Sequence, residues 1–420
     1  MRTVLFAIII ANIVCTFDAL MFLDQIFNSV TDENIIANVS TAVVTYVELK
    51  DVSSLKEPSY INQYIEDNKA FCNINIKMIT TLLANGAEEG STMNELMSFS
   101  NIADKISLND RYLSEFTFLN SIRNIELYVG TAIYVQNSVD VTADFSSKCI
   151  NTLHCSISKI DFRNDMQAAE IINSWVQKTT NFQLLDVISP ENIDENTKIM
   201  LVNTVYFNIR WPYVRGKIVN RIFHVSPSEM IEVPTIKFEK SMFICGEIPH
   251  WNIKFIEIPS LNNKITMFIF LPNKETVPRN LEYLIEKFNF EEFKSIRNTY
   301  SFEQATELYL PKFTIYQTNN MTNLFRENGV ITMFEDKADF TRLSKIPLKV
   351  SNIAQKIFVR VRKESSETLE DFKRGERKLV DPPQEFILDR PFLYLIEING
   401  KMEFIAAVRK ADLVIKRREL

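Results

Sequence analysis

Two apolar runs near the C-terminus, Phe392 to Ile398 and Met402 to Val408, are separated by Asn399-Gly400. An Asn-Gly pair tolerates the positive φ angles of a two-residue hairpin turn, so the runs read as neighbouring antiparallel strands. Both runs are nearly continuously apolar, so both faces of the hairpin are buried. Helical patterns lie mostly upstream. Residues 20 to 100 read as helical, with Leu82 and Leu83 running into an Ala84-Asn85-Gly86-Ala87 stop. Residues 165 to 182 place Ala168, Ile171, Ile172, Trp175 and Val176 on one helical side. Strand-like runs follow at Ile199 to Phe207, Phe255 to Ile258, Ile265 to Leu271 and Glu307 to Ile315, with a helical pattern over 280 to 297. Helices early and strands late predict an α+β fold with large antiparallel sheets. There is no internal repeat.

Several function classes fall away on composition. Hydrophobic residues at 46% and charged residues at 24% describe a folded chain. The net charge of −6 disfavours nucleic acid as a partner. With 8 glycines in 420 residues, a Gly-rich phosphate loop is nearly excluded. His154, His224 and His250 form no metal-ligand spacing beyond the weak adjacent pair His154-Cys155. No Gly-x-Ser-x-Gly elbow occurs. No catalytic residue, metal or cofactor is therefore expected, and Trp175, Trp211 and Trp251 are assigned to the core.

The N-terminus reads as a secretory signal over residues 1–19. Arg2 supplies the positive start, Val4 to Val14 is apolar except for Asn12, and Ala19 is the last residue before cleavage. The run is too short for a membrane anchor and ends at Asp18. A secreted, extracellular chain from residue 20 to 420 follows, as one domain. Cys72, Cys149, Cys155 and Cys245 remain after cleavage. Cys149 and Cys155 are close enough to close a short loop, with buried free thiols as the alternative. Asn38-Val39-Ser40 and Asn320-Met321-Thr322 are glycosylation sequons. The terminal Lys416-Arg417-Arg418-Glu419-Leu420 reads as a solvated basic tail rather than a retention signal.

One stretch breaks the pattern. Arg360 to Pro383 is polar and charged, contains Lys373-Arg374-Gly375-Glu376-Arg377-Lys378, and is flanked by buried-looking strands. Loops this long inside a domain usually serve a function or are disordered, and a tolerated surface insertion is the bland reading.

Five motifs in order carry a family resemblance. They are Ile172-Asn173-Ser174-Trp175-Val176 with Thr179; Leu201-Val202-Asn203-Thr204-Val205-Tyr206-Phe207 with Trp211; and Leu310-Pro311-Lys312-Phe313. Gly329-Val330 with Phe334 and Ala338-Asp339-Phe340, and Asp389-Arg390-Pro391-Phe392-Leu393-Tyr394 with Phe404-Ile405, complete the set. On these the chain resembles a serpin over nearly all its mature length. The resemblance implies three β-sheets, eight or nine helices and an exposed reactive-centre loop, here about 362–385. In inhibitory members a serine protease cuts that loop, whose N-terminal half inserts into the main sheet as a new strand.

The same resemblance locates the parts. The hinge corresponds to Ser365, where a glycine is usual, with inward positions at Ser366, Thr368, Glu370 and Phe372. Counting along the loop places the bait at Leu379, with Lys378 and Arg377 beside it for a trypsin-like enzyme. The region where the main sheet opens, usually two Ser, an Asn and a His, corresponds to Cys72, Asn75, Asn203 and Gln355 near Trp211. Ile209 and Ala406 replace usual glycines. Residues 100 to 125 offer only Lys105, Arg111 and Arg123, so no heparin site is expected. The charged, glycine-poor hinge opposes insertion. The expectation is a monomeric, non-inhibitory or weakly inhibitory member. The alternatives are a working inhibitor of an extracellular serine protease, or a carrier, signalling or chaperone role on the same scaffold.

Overall fold

The computed structural model describes residues 70–122, 125–209, 216–238, 240–260, 264–274, 280–361 and 384–411. All of them lie in the compact unit that spans 57–420. The signal segment, Asn38, Trp211, the hinge and the bait lie outside the described residues.

The described chain opens on a short strand, β1 (Ala70–Cys72), rather than on the helix expected there, and continues into α1 (Asn73–Gly86), α2 (Ser91–Ser100) and α3 (Lys105–Ser121). α1 is buried on almost every side and ends at Gly86, where the sequence stop lies. α3 is capped by Asp104, whose carboxylate accepts from Ser107 N at 2.8 Å. Next come β2 (Ile125–Gln136), α4 (Ala143–Asn151), β3 (Ser156–Ile160), α5 (Asp165–Thr179) and β4 (Ile199–Ile209). Asn164 caps α5 by accepting from Gln167 N at 3.2 Å. Ile172 and Val176 of α5 are buried, whereas Ile171 is exposed, so the inward stripe is narrower than its spacing implied.

The middle of the chain is mostly strand. It runs through β5 (Gly216–His224), β6 (Met230–Phe238), β7 (Ser241–Ile248), β8 (Ile253–Pro259) and β9 (Ile265–Pro272). The helical pattern over 280 to 297 resolves into two helices, α6 (Asn280–Lys287) and α7 (Phe290–Tyr300), because Asn289 caps a new start by accepting from Glu292 N at 2.9 Å. Phe288, just past the end of α6, and Phe293 of α7 pack edge-on against Phe270 of β9.

The run Glu307 to Ile315 is two strands, β10 (Ser301–Pro311) and β11 (Phe313–Asn320). Lys312 separates them, its N–H donating to Pro234 O at 2.8 Å. Then follow α8 (Thr322–Glu327), β12 (Asn352–Val361), β13 (Gln384–Ile387), β14 (Phe392–Ile398) and β15 (Lys401–Val408). The last two form the hairpin read from sequence, with Asn399 at φ 51° and Gly400 at φ 76°.

Eight α-helices are present among the described residues. The strands form two hydrogen-bonded networks. One is a five-stranded sheet in the order β11-β12-β4-β2-β3. The other runs β1-β15-β14-β9-β8-β7-β10-β6-β5, with β13 added on β10. β10 joins its two halves: Ser301 to Thr306 pairs with β7, and Tyr309 to Pro311 pairs with β6. Three sheets, two of them joined through one strand, describe this arrangement. Ala70 stitches the networks together. It pairs with Ala406 in the larger one, while Gln317 and Asn319 of β11 bond its backbone N–H and C=O.

Candidate functional site

The five-stranded sheet has an unusual centre. β12 and β4 lie parallel and directly paired from Asn352 opposite Met200 to Val359 opposite Phe207. Parallel neighbours need a long crossover, and here the intervening chain builds most of the larger network. Alternation sorts the side chains. Met200, Val202, Tyr206, Ala354 and Phe358 join the cluster that α5 covers. Leu201, Asn203, Val205, Ile353, Gln355 and Ile357 take the opposite face and are buried.

That opposite face carries a polar row. Thr131, Asn203, Gln355 and Asn319 stand at matched register on β2, β4, β12 and β11. Asn203 Nδ2 donates to Thr131 Oγ1 at 2.7 Å. Asn319 Nδ2 donates to Gln355 Oε1 at 3.2 Å. The row is therefore bonded in two halves, with a break where β4 meets β12. Among the described residues Asn203 Oδ1 and Gln355 Nε2 have no hydrogen-bond partner, nor has either end of the Asn75 amide on α1. Each unsatisfied buried polar atom costs about 1–3 kcal/mol, so the closed sheet is weakest along this seam.

Cys72 precedes α1 at its N-cap position and is also buried. Burial pushes its thiol up to about 12, which makes it a packing residue rather than a nucleophile. The four residues expected at the sheet opening are thus all buried. Asn203 and Gln355 face each other in register, and Asn75 and Cys72 sit at the start of α1, a helix that packs on β4, β2 and β15. Thr131 and Asn319 were missed. Each is a polar residue at an inward position of an apolar strand, and that pattern was the available signal.

α5 and the chain after it cover the other face. Gly130 on β2 lets Trp175 and Thr179 approach, since a Cβ there would overlap Thr179 Cγ2 and lie 3.2 Å from the indole. Trp175 Nε1 donates to Ser156 Oγ at 3.2 Å. Asn173 Oδ1 accepts from Val187 N at 2.9 Å and Ile188 N at 3.2 Å, and its Nδ2 donates to Ile188 O at 2.9 Å. These contacts explain the spacing of the Asn-x-Trp motif. Lys356 of β12 reaches outward to Asp186 Oδ1 at 3.2 Å and Thr318 Oγ1 at 2.8 Å. Any strand entering between β4 and β12 must displace this cover.

Other expected residues are placed as follows. Asn320 is exposed at the end of β11, its Oδ1 accepting from Thr322 N at 3.0 Å. Cys149 and Cys155 are joined as a disulfide with Cα atoms 5.1 Å apart. Arg111, counted among the few basic residues of its region, is buried. No cluster of three metal-ligating side chains occurs among the described residues. No helix among them is long and apolar enough to cross a membrane.

Comparison with known proteins agrees with this architecture. The family model described as "Serpin (serine protease inhibitor)" matches residues 58–410. The silkworm Bombyx mori protein "Antitrypsin" is 28% identical over 326 residues, covering 76% of this chain and 82% of the relative. The crystal structure of Serpin48 from the insect Tenebrio molitor superposes with a TM-score of 0.70 at 23% identity, over 84% of this chain and 94% of that one. A thyroxine-binding globulin complex with thyroxine gives a TM-score of 0.73 at 18% identity, over 84% and 96% of the two chains.

Proposed function

We propose, starting from the fact that this chain belongs to the serpin family, a secreted monomer that inhibits proteases weakly or not at all. The observation that carries the reading is the charged sequence of the hinge from Lys363 to Asp371, taken together with the pairing across the seam between β4 and β12. An inserting strand would run antiparallel to β12. With Ser366 opposite Val361, the pairing places Thr368 opposite Val359, Glu370 opposite Ile357 and Phe372 opposite Gln355. Ile357 itself pairs with Val205. Glu370 would then lie between two buried apolar side chains, where an unpaired carboxylate costs several kcal/mol or must take a proton. Phe372 would fall into the break of the polar row, between Asn203 and Gln355. Serine and threonine at the two upper positions fit. The glycine usual at the hinge is Ser365.

The signal segment 1–19 and the sequons at Asn38 and Asn320 belong to this reading, as does the domain from residue 20 to 420. The test is a thermal melt before and after limited trypsin cleavage in the basic run Arg374 to Lys378. An unchanged melting temperature is expected. A rise of tens of degrees, or a stable one-to-one covalent complex with a serine protease, overturns the reading.

The closed but poorly satisfied seam favours a second reading, a working inhibitor of an extracellular serine protease with bait at Arg377, Lys378 or Leu379. It predicts that Glu370→Ala speeds inhibition and lowers the stoichiometry towards one. An unaltered rate and stoichiometry count against insertion as the limiting step. Carrier, signalling or chaperone use of the scaffold is what an inert loop would leave.

A further inference from the structure

Among the described strands, β3 alone pairs with the side of β2 that faces away from β4, and it reaches no further than Ala132. Leu127 to Val129 therefore form an open strand edge, whose backbone N–H and C=O groups on that side have no ladder partner. A half-open pocket of about 150 Å³ lies along this edge, between α3, the start of α1 and the end of α5. Phe116, Leu119 and Asn120 reach it from one face of α3, at i, i+3 and i+4 spacing. Thr179, which follows the Asn-x-Trp motif, borders it from α5.

Apolar walls come from Ile74, Phe116, Leu119 and Val129, and polar groups from Asn120, Tyr128 and Thr179. The walls are held in place before anything binds. Phe116 stacks on His154 with ring centroids 4.8 Å apart, Tyr128 lies 5.6 Å from Tyr206, and Thr179 is seated against Gly130. Among the described residues, the side chains of Asn120, Tyr128 and Thr179 make no hydrogen bond, which leaves an amide and two hydroxyls open to a ligand. None of the described lining residues is charged.

Volume and chemistry together select the ligand. A space of about 150 Å³ holds one benzene-sized ring. A charged ligand would lie there without a counter-charge. A plain hydrocarbon would strip water from three polar side chains and return no bond. A neutral ring that carries a hydroxyl meets all three conditions. We propose that the pocket is a binding site for one small neutral phenol, its ring on the apolar walls and its hydroxyl bonded among Asn120, Tyr128 and Thr179. The site stands whether or not the loop inserts.

The test uses the intact protein and phenol itself as the probe. Calorimetry and melting temperature should show one saturable site, with a rise of a few degrees at saturation, and benzoate should give no response. Tyr128→Phe combined with Thr179→Val should weaken phenol about tenfold, the worth of one or two hydrogen bonds, and leave toluene unaltered. Val129→Phe should fill the pocket and abolish the binding of both. Crystals soaked in 4-bromophenol should show one anomalous bromine peak beside Phe116 and Tyr128, which decides the matter even if a variant does not fold. The site is overturned by any one of five results: no saturable phenol binding, a benzoate response equal to that of phenol, an undiminished response in Val129→Phe, equal loss of phenol and toluene in the double variant, or no bromine peak at this pocket.

Discussion

Glu257 on β8 is a buried carboxylate that makes neither a hydrogen bond nor an ion pair among the described residues. Its neighbour Glu397 on β14 holds the one nearby guanidinium, Arg297 Nη1, at 3.4 Å. Burial pushes Glu257 up to about 7, eased by Arg297 and worsened by Glu397, and burial also raises Glu397. The linkage has a definite sign. The unfolded chain releases this proton near 4.5 and the folded one near 7, so stability falls as pH rises between those values. Glu257→Gln should therefore stabilise by roughly 3 kcal/mol at pH 8 and by almost nothing at pH 4. Urea denaturation at the two pH values measures it, and an equal effect at both would refute the assignment. Glu115, which against its burial takes Lys77 Nζ at 3.2 Å, Lys401 Nζ at 2.7 Å and Arg111 Nε at 3.3 Å, works in the opposite sense. Its depressed carboxyl stabilises the fold above the ordinary 4.5, and that contribution drains away as pH falls towards 2.

At the scale of elements, α5 is held against its sheet by the absence of a side chain. Gly130→Ala should destabilise by about 1–3 kcal/mol through overpacking against Thr179 and Trp175. Adding Thr179→Ser should recover much of the loss, as read by denaturation of the single and double variants. A Gly130→Ala protein as stable as the parent would mean that α5 rides free of β2. Elements whose signal is local were legible in the sequence. Asn399-Gly400 announced its hairpin because only the turn's own φ angles matter. The Gly86 stop and the Ile199 strand were legible for the same reason. The apolar alternation of Glu307 to Ile315 hid a change of sheet, because Lys312 is set apart by a carbonyl from Pro234, remote in sequence. The capping by Asn289 was a local signal that the apolar periodicity of its neighbours masked. In the candidate site, Asn203 and Gln355 were found through resemblance. Their break in bonding, and Thr131 and Asn319 beside them, depend on which strands become neighbours, and no single stretch encodes that.

For the molecule as a whole, the topology sets an order of events. The first described strand, β1, has one strand partner, and that partner is β15, with Ala70 opposite Ala406. The terminal hairpin also closes the larger network, since β14 lies between β15 and β9. A contact so distant in sequence forms late and slowly. Deleting residues 392–411 should leave a chain that lacks cooperative melting rather than a smaller folded protein, and a cooperative transition in that truncation would show that the hairpin is dispensable. During synthesis the early helices and central strands emerge with their apolar faces uncovered. The chain must be kept from its neighbours until β15 has left the ribosome. Demand for chaperones during synthesis is thus fixed by where the closing strand is encoded.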